Sequence, residues 1–136
     1  MKIKTLILCC SLSLSSLLNG MFGNLDECLE EANQAFSLLE VNMEKSSIEN
    51  AIKVLEKTLN SFNKKINAKN FIIDSEEEDE IYLWIEILEN NLYLIQKIKM
   101  FLDGNEDGSL LKQLASSSSV FYPIIRKAFE AKGVQF

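Results

Sequence analysis

Residues 103–108 are the part of the sequence whose types and spacing come closest to a metal site. Asp103, Asn105 and Asp107 place side-chain oxygens at alternate positions, and a glycine follows at the sixth, as at the start of an EF-hand loop. Calcium takes about six to eight oxygen ligands, but the ninth and twelfth positions here are leucines. Asp, Asn and Gly are also the usual residues of turns. The sequence therefore predicts no metal site, and these three residues remain weak calcium candidates.

The other reactive groups considered are two carboxylates and one thiol. Glu86 and Glu89 lie one helical turn apart, but nothing in the sequence places an opposing carboxylate or a substrate groove beside them. Cys28 falls on an apolar helical stripe, which favours packing over reactivity. The chain has no histidine, which excludes Ser-His-Asp and Cys-His catalysis and His-ligated zinc. We predict no catalytic residue and no cofactor-binding residue.

The charge balance limits the partners of the protein. The 136 residues include 20 acidic and 14 basic side chains, which gives a net charge of −6. An acidic chain without a basic and aromatic patch is a poor ligand for nucleic acid. The length suits one folded domain, and the apolar fraction of 47% is enough for one core.

The N-terminal residues 1–23 have the layout of a secretory signal peptide. Lys2 and Lys4 form a basic start, and an uncharged apolar and serine run over residues 5–18 follows. As a helix this run would be about 21 Å long, short of the roughly 30 Å hydrocarbon core of a bilayer. We expect cleavage after Gly20 or Gly23 and a periplasmic or secreted protein without a stable membrane span.

The cysteines of the signal segment do not fit a lipoprotein. Leu8 precedes Cys9, and the apolar stretch before Cys9 and Cys10 is too short for a lipidation signal. Removal of residues 1–23 would take away two lysines and no acid, so the net charge would become −8. Cys28 would then be the only thiol, without a partner for an internal disulfide.

Apolar residues at helical spacing predict the elements that would position these groups. We expect an all-α protein, a compact bundle of four or five helices after an N-terminal signal peptide. Residues 24–136 would form a single helical domain, with a helical hairpin over 24–67, a central helix over 75–102 and C-terminal helices over 109–133.

The central helix is the most informative of these elements. Fifteen of the 22 residues from Ile81 to Leu102 are apolar, and they occupy most of the helical circumference. Such a helix packs between neighbouring helices. Its seven polar residues make it too polar for a stable transmembrane helix. Trp84, Tyr82 and Tyr93 could together line a ligand groove, but core packing is the favoured interpretation of Trp84.

Residues 117–134 resemble a segment of a known enzyme family. They read Ser-Ser-Ser-Val-Phe-Tyr-Pro-Ile-Ile-Arg-Lys-Ala-Phe-Glu-Ala-Lys-Gly-Val, with an aromatic-proline start and a Gly-aliphatic end. This is similar to the helix before the catalytic core of membrane-bound lytic murein transglycosylases. In that family a proline, a short helix and a Glu-Ser dipeptide follow, and the glutamate is the acid/base that cleaves the peptidoglycan glycan strand. Here Gln135 stands at the proline position, and the sequence ends at Phe136 before the glutamate.

Two functions of different classes follow from these observations. The first is an exported, non-catalytic helical protein that serves as a binding, accessory or structural module for a protein partner or a cell-wall component. The alternative, implied by the resemblance, is a truncated or split N-terminal helical region of a lytic transglycosylase-like protein that lacks its catalytic glutamate. A third hypothesis, a small-ligand carrier with a groove beside Trp84, has no polar anchor in the sequence.

Overall fold

A computed structural model describes residues 24–67 and 75–136, and these residues form helices without strands. The predicted signal peptide over 1–23, with Cys9 and Cys10, lies outside the described residues. The all-α bundle predicted from the sequence is confirmed, with five helices in the described ranges: α1 Asn24–Leu38, α2 Lys45–Ile66, α3 Ser75–Leu102, α4 Ser109–Ser117 and α5 Tyr122–Lys132.

The first two helices pack as an antiparallel hairpin. Near one end of the pair, the buried Thr58 hydroxyl lies 3.1 Å from the carbonyl oxygen of Cys28. Lys57 Nζ lies 3.7 Å from a carboxylate oxygen of Glu31. The short turn after Leu38 joins the other end. The apolar residues of both helices are buried in one common core.

The long helix α3 occupies the centre of the bundle. It runs antiparallel to α2, since Lys99 near its C-terminal end lies 3.8 Å from Glu49 near the N-terminal end of α2. Near its C-terminal end it also contacts α5, where the rings of Phe101 and Phe129 lie 4.5 Å apart. Its buried apolar residues occupy most of its circumference, as the sequence predicts: Ile81, Trp84, Ile85, Ile87, Leu88, Leu94, Ile95, Ile98 and Phe101.

The C-terminal helices complete the same core. The Phe121 ring, just before α5, lies 6.5 Å from the ring of Phe36 in α1, so the first and last helices share the interior. The apolar side of α5 is buried within the chain through Ile124, Ile125, Ala128 and Phe129. Gly133 ends this helix, and its backbone N–H donates to the carbonyl of Glu130 at 3.1 Å.

The start of α2 differs from the pattern in the sequence. Ser46 and Glu49 have the spacing of a capping box, but the helix already begins at Lys45. The carbonyl of Glu44 accepts the first helical hydrogen bond from the N–H of Ile48, at 3.0 Å. Burial of Ser47 and Ile48 against the core therefore takes precedence over a serine cap.

Candidate functional site

The first half of the calcium-like loop is the C-terminal cap of α3. The N–H of Gly104 donates to the carbonyl of Phe101 at 3.1 Å, and the N–H of Asn105 donates to that of Met100 at 2.8 Å. These two bonds form a Schellman motif, which needs a left-handed residue at its centre. Gly104 meets this need with a φ of +86°.

The second half of the loop begins α4. Oδ1 of Asp107 accepts a hydrogen bond from the Ser109 hydroxyl at 2.5 Å and one from the Ser109 N–H at 3.0 Å. These bonds stabilise the carboxylate and lower the pKa of Asp107 below its ordinary value of 3.8. The bond from the hydroxyl has the larger effect, and the bond from the N–H follows. Glu106 accepts a hydrogen bond from Lys97 Nζ at 3.0 Å, which raises the pKa of Lys97.

These contacts engage one oxygen of Asp107 with the start of α4 and one oxygen of Glu106 with Lys97. The ninth position of the motif, Leu111, is fully buried, and the twelfth, Leu114, packs against the core. Within residues 24–67 and 75–136, no three His, Cys, Asp or Glu side chains are grouped in a way that could hold a metal ion. Asp103, Asn105 and Asp107 stay weak calcium candidates, and a calcium titration tests them.

Gly108, the glycine at the sixth position of the loop motif, has a structural role. Its φ is +90°, and a Cβ atom built on it would lie 2.8 Å from Cε1 of Phe101 and 2.9 Å from Cζ of Phe129. The close approach of this backbone to the two rings brings α4 against the ends of α3 and α5. The glycine at the sixth position is therefore explained by packing.

The other reactive groups named from the sequence are spread over the bundle. Glu89 is exposed and Glu86 half-buried on α3. Cys28 is a free thiol in α1, half-buried among packed residues. No described groove brings the two glutamates together with a second carboxylate-bearing helix.

The aromatic residues of α3 separate into two groups. Trp84 is 1% exposed and belongs to the core, in agreement with the favoured interpretation. Tyr82 and Tyr93 are 52% and 46% exposed, so they do not line a groove with Trp84. Residues two apart on a helix point in nearly opposite directions, which is why Tyr82 and Trp84 separate.

All three tyrosine side chains lie in the described residues and are exposed. Tyr122 at the start of α5 is 44% exposed, and its ring packs edge-on against that of Phe136 at 5.2 Å. Tyr93 lies beneath the ammonium group of Lys97, 5.4 Å from its ring centroid. By contrast, Trp84 and five phenylalanines are buried: Phe36, Phe62, Phe101, Phe121 and Phe129.

Two surface grooves flank Tyr122. One, of about 260 Å³, continues over Pro123, Arg126 and Glu130. The other, of about 400 Å³, is lined by serines 116, 117 and 119. A third groove, of about 310 Å³, lies at the opposite end of α5 beside Lys132.

Comparisons with family models, with curated proteins and with solved structures found no match to this chain. In the part of the chain that the structure describes, no helix has both the length and the apolar character needed to cross a membrane.

Proposed function

We propose that the protein is an exported, non-catalytic helical binding module whose protein partner contacts the exposed face of α3. The observation that carries this proposal is the exposure of Tyr82 and Tyr93 on a helix that is otherwise packed on most sides. Tyrosine supplies a large apolar ring together with a hydroxyl, and it is enriched in protein interfaces and their energetic hot spots.

These tyrosines belong to one continuous stripe. Tyr82, Glu89, Tyr93 and Met100 are 7, 4 and 7 residues apart, which places them on one side of a helix. All four are exposed, and the stripe is about 27 Å long at 1.5 Å per residue. We call these four residues the α3 stripe. Its two rings and thioether would serve as apolar anchors, and Glu89 would accept a hydrogen bond from a basic group of the partner.

Site-specific photo-crosslinking in the native cells tests this function. A photoreactive phenylalanine analogue at position 93 should give one discrete cross-linked product, whereas the same analogue at the exposed Glu56 of α2 should not. For a variant that carries both Tyr82→Ser and Tyr93→Ser, the photoreactive analogue is placed at Gln96 instead. The two substitutions should abolish the cross-linked product formed from that position. Equal cross-linking at positions 93 and 56, or a product that survives both substitutions, would contradict the proposal.

Export is tested separately by the intact mass of the native protein. We expect a mass that corresponds to residues 21–136 or 24–136, because cleavage after Gly20 or Gly23 removes the signal peptide. A mass that retains residues 1–23 would contradict export by this route.

The alternative function is that of a helical region of a lytic transglycosylase-like protein. One observation favours it: the segment that resembles this family includes a helix from Tyr122 to Lys132 followed by Gly133, as the resemblance implies. The same intact-mass measurement decides this point. A much larger mass, with sequence beyond Phe136 that includes the expected glutamate, would support the alternative.

A further inference from the structure

The groove beside Lys132 lies where three elements meet. The turn between α1 and α2, the C-terminal end of α3 and the last turn of α5 enclose about 310 Å³. Its apolar lining comes from the buried Ile48 and the half-buried Met43 and Leu102. Small-molecule sites are usually concave, mostly apolar and about 300–1,000 Å³ in volume, so this groove has room for one short ligand.

The charges around the groove are opposite in sign to those of the whole chain. Among the described residues that line it are Lys45, Lys99 and Lys132 and one acid, Asp103, while Glu49 lies beside Lys99. The chain as a whole has a net charge of −6. A concave surface lined by cations beside apolar walls concentrates anions from solution.

The N-terminal turn of α2 adds to this positive field. Lys45 is the first residue of α2, and the first turn contains no acidic side chain. The side chain of Glu44, which precedes it, makes no capping hydrogen bond. The first N–H groups of α2, beside Lys45, are therefore not capped by the Glu44 side chain.

The existing partners of the lysines leave donors for a ligand. Lys99 Nζ lies 3.8 Å from Glu49, and both side chains are more than a third exposed, so this ion pair is weak. Lys132 donates to the carbonyl oxygen of Phe101 and lies 4.6 Å from the centroid of the Phe101 ring. An ammonium group has three N–H donors, so one such bond orients Lys132 without exhausting it.

We propose that this groove binds the carboxylate of a short aliphatic acid. The carboxylate lies among Lys45, Lys99 and Lys132, and the alkyl chain covers Met43 and Leu102. An apolar lining alone would not distinguish an acid from an alcohol, and the lysines alone would not distinguish a long acid from acetate. The combination selects a ligand with both parts. This site goes beyond the proposed function, since it is formed by other residues than the α3 stripe.

Methionine-methyl NMR of the full chain tests the proposal with octanoate as the probe. The Met43 methyl resonance should shift and saturate, while that of Met100, on the exposed face of α3, should not move. Octanol has no charge, and acetate lacks the long alkyl chain. Each should therefore bind at least about tenfold more weakly than octanoate. The Met43 resonance is assigned with Met43→Leu.

Matched charge variants locate the carboxylate. Lys45→Gln with Lys99→Gln should weaken octanoate binding about tenfold, because it removes two cations from the groove. The control is Lys53→Gln with Lys57→Gln, which removes two exposed cations of α2 outside the groove. Lys57 lies beside Glu31, as Lys99 lies beside Glu49, so each pair includes one ion-paired lysine. This control changes the net charge equally and should bind octanoate like the unaltered chain.

Three results would overturn the proposal. They are a Met43 resonance that does not move at millimolar octanoate, equal binding of octanoate and octanol, and equal weakening by the two pairs of lysine substitutions. Because none of these measurements involves Tyr82 or Tyr93, a negative result here leaves the test of the α3 stripe unaffected.

Discussion

At the scale of single residues, the two glycines of the 103–108 loop make a matched pair. Both have left-handed backbones, with φ of +86° at Gly104 and +90° at Gly108. Among the described residues, no atom beyond the chain neighbours lies within 4 Å of a Cβ built at Gly104, whereas a Cβ at Gly108 would meet two phenylalanine rings. We predict that Gly104→Ala lowers the free energy of unfolding by about 1 kcal/mol, the cost of left-handed alanine. Gly108→Ala should lower it by about 3 kcal/mol, because the rings must also shift.

Chemical denaturation of both glycine variants measures the two costs under the same conditions. The difference between them isolates the contact of Gly108 with Phe101 and Phe129, since the backbone cost is shared. Equal costs for Gly104→Ala and Gly108→Ala would mean that α4 does not pack closely against these rings.

Asn91 is a polar residue in the core of α3. It is fully buried, and its Nδ2 donates to the carbonyl of Ile87 at 2.7 Å. Its Oδ1 has no hydrogen-bond partner within the described residues. We predict that Asn91→Leu raises the free energy of unfolding by about 1 kcal/mol, because it removes the desolvation cost of this oxygen. Asn91→Ala, which leaves the volume empty, should lower it. A loss of stability in Asn91→Leu would show that Oδ1 accepts a hydrogen bond.

Asp107 makes the stability of the loop depend on pH. Hydrogen bonds from Ser109 lower its pKa in the folded state below 3.8. The carboxylate therefore contributes stability above its unfolded pKa, and this contribution is lost as the pH falls through the lower, folded value. We predict that in Asp107→Asn the melting temperature decreases less than in the unaltered protein as the pH falls below about 4. Ser109→Ala, which removes the hydroxyl donor, should give part of the same effect. An unchanged acid profile in both variants would contradict this role.

At the scale of elements, one buried hydroxyl joins the helices of the hairpin. Thr58 Oγ1 lies 2.8 Å from the carbonyl of Val54 in its own helix and 3.1 Å from that of Cys28 in α1. Thr58→Val keeps the side-chain shape and removes the hydroxyl. We predict a loss of about 1 kcal/mol in the free energy of unfolding, the typical net value of such a bond.

The control for Thr58 lies on the same helix. The Ser61 hydroxyl donates to the carbonyl of Lys57 within α2 and is in contact with solvent. Ser61→Ala should therefore change stability by less than about 0.5 kcal/mol. If Thr58→Val costs no more than Ser61→Ala, the contact with Cys28 does not help to hold the hairpin together.

The elements were predictable from the sequence to different degrees. The central helix is evident because apolar residues on most of a helical circumference require neighbours on most sides. The start of α2 was less predictable, since burial of Ser47 and Ile48 overrides the capping pattern. The close approach at Gly108 could not be predicted, because its two rings come from α3 and α5. The lysine-lined groove was hidden for the same reason: Lys45, Lys99 and Lys132 come together only in the fold.

At the scale of the whole molecule, the question is whether the C-terminal helices form part of one cooperative unit. Ring contacts join them to both other parts of the bundle, Phe129 to α3 and Phe121 to α1. The resemblance of residues 117–134 to a helix that precedes a separate catalytic core raises the other possibility, a segment that unfolds independently. A shared core predicts a single unfolding transition for all the helices.

The only tryptophan of the chain provides the test, because Trp84 lies in α3, 17 residues before Phe101, and does not belong to the C-terminal helices. Phe129→Ala empties a fully buried site and should lower the free energy of unfolding by about 3–5 kcal/mol. If the core is shared, Trp84 fluorescence and far-ultraviolet circular dichroism should move together to a lower denaturant concentration in this variant. If α4 and α5 unfold on their own, circular dichroism should show an early partial loss of helix, while the fluorescence transition of Trp84 stays where it is in the unaltered protein. The second outcome would contradict the single core and would favour a C-terminal segment that unfolds independently.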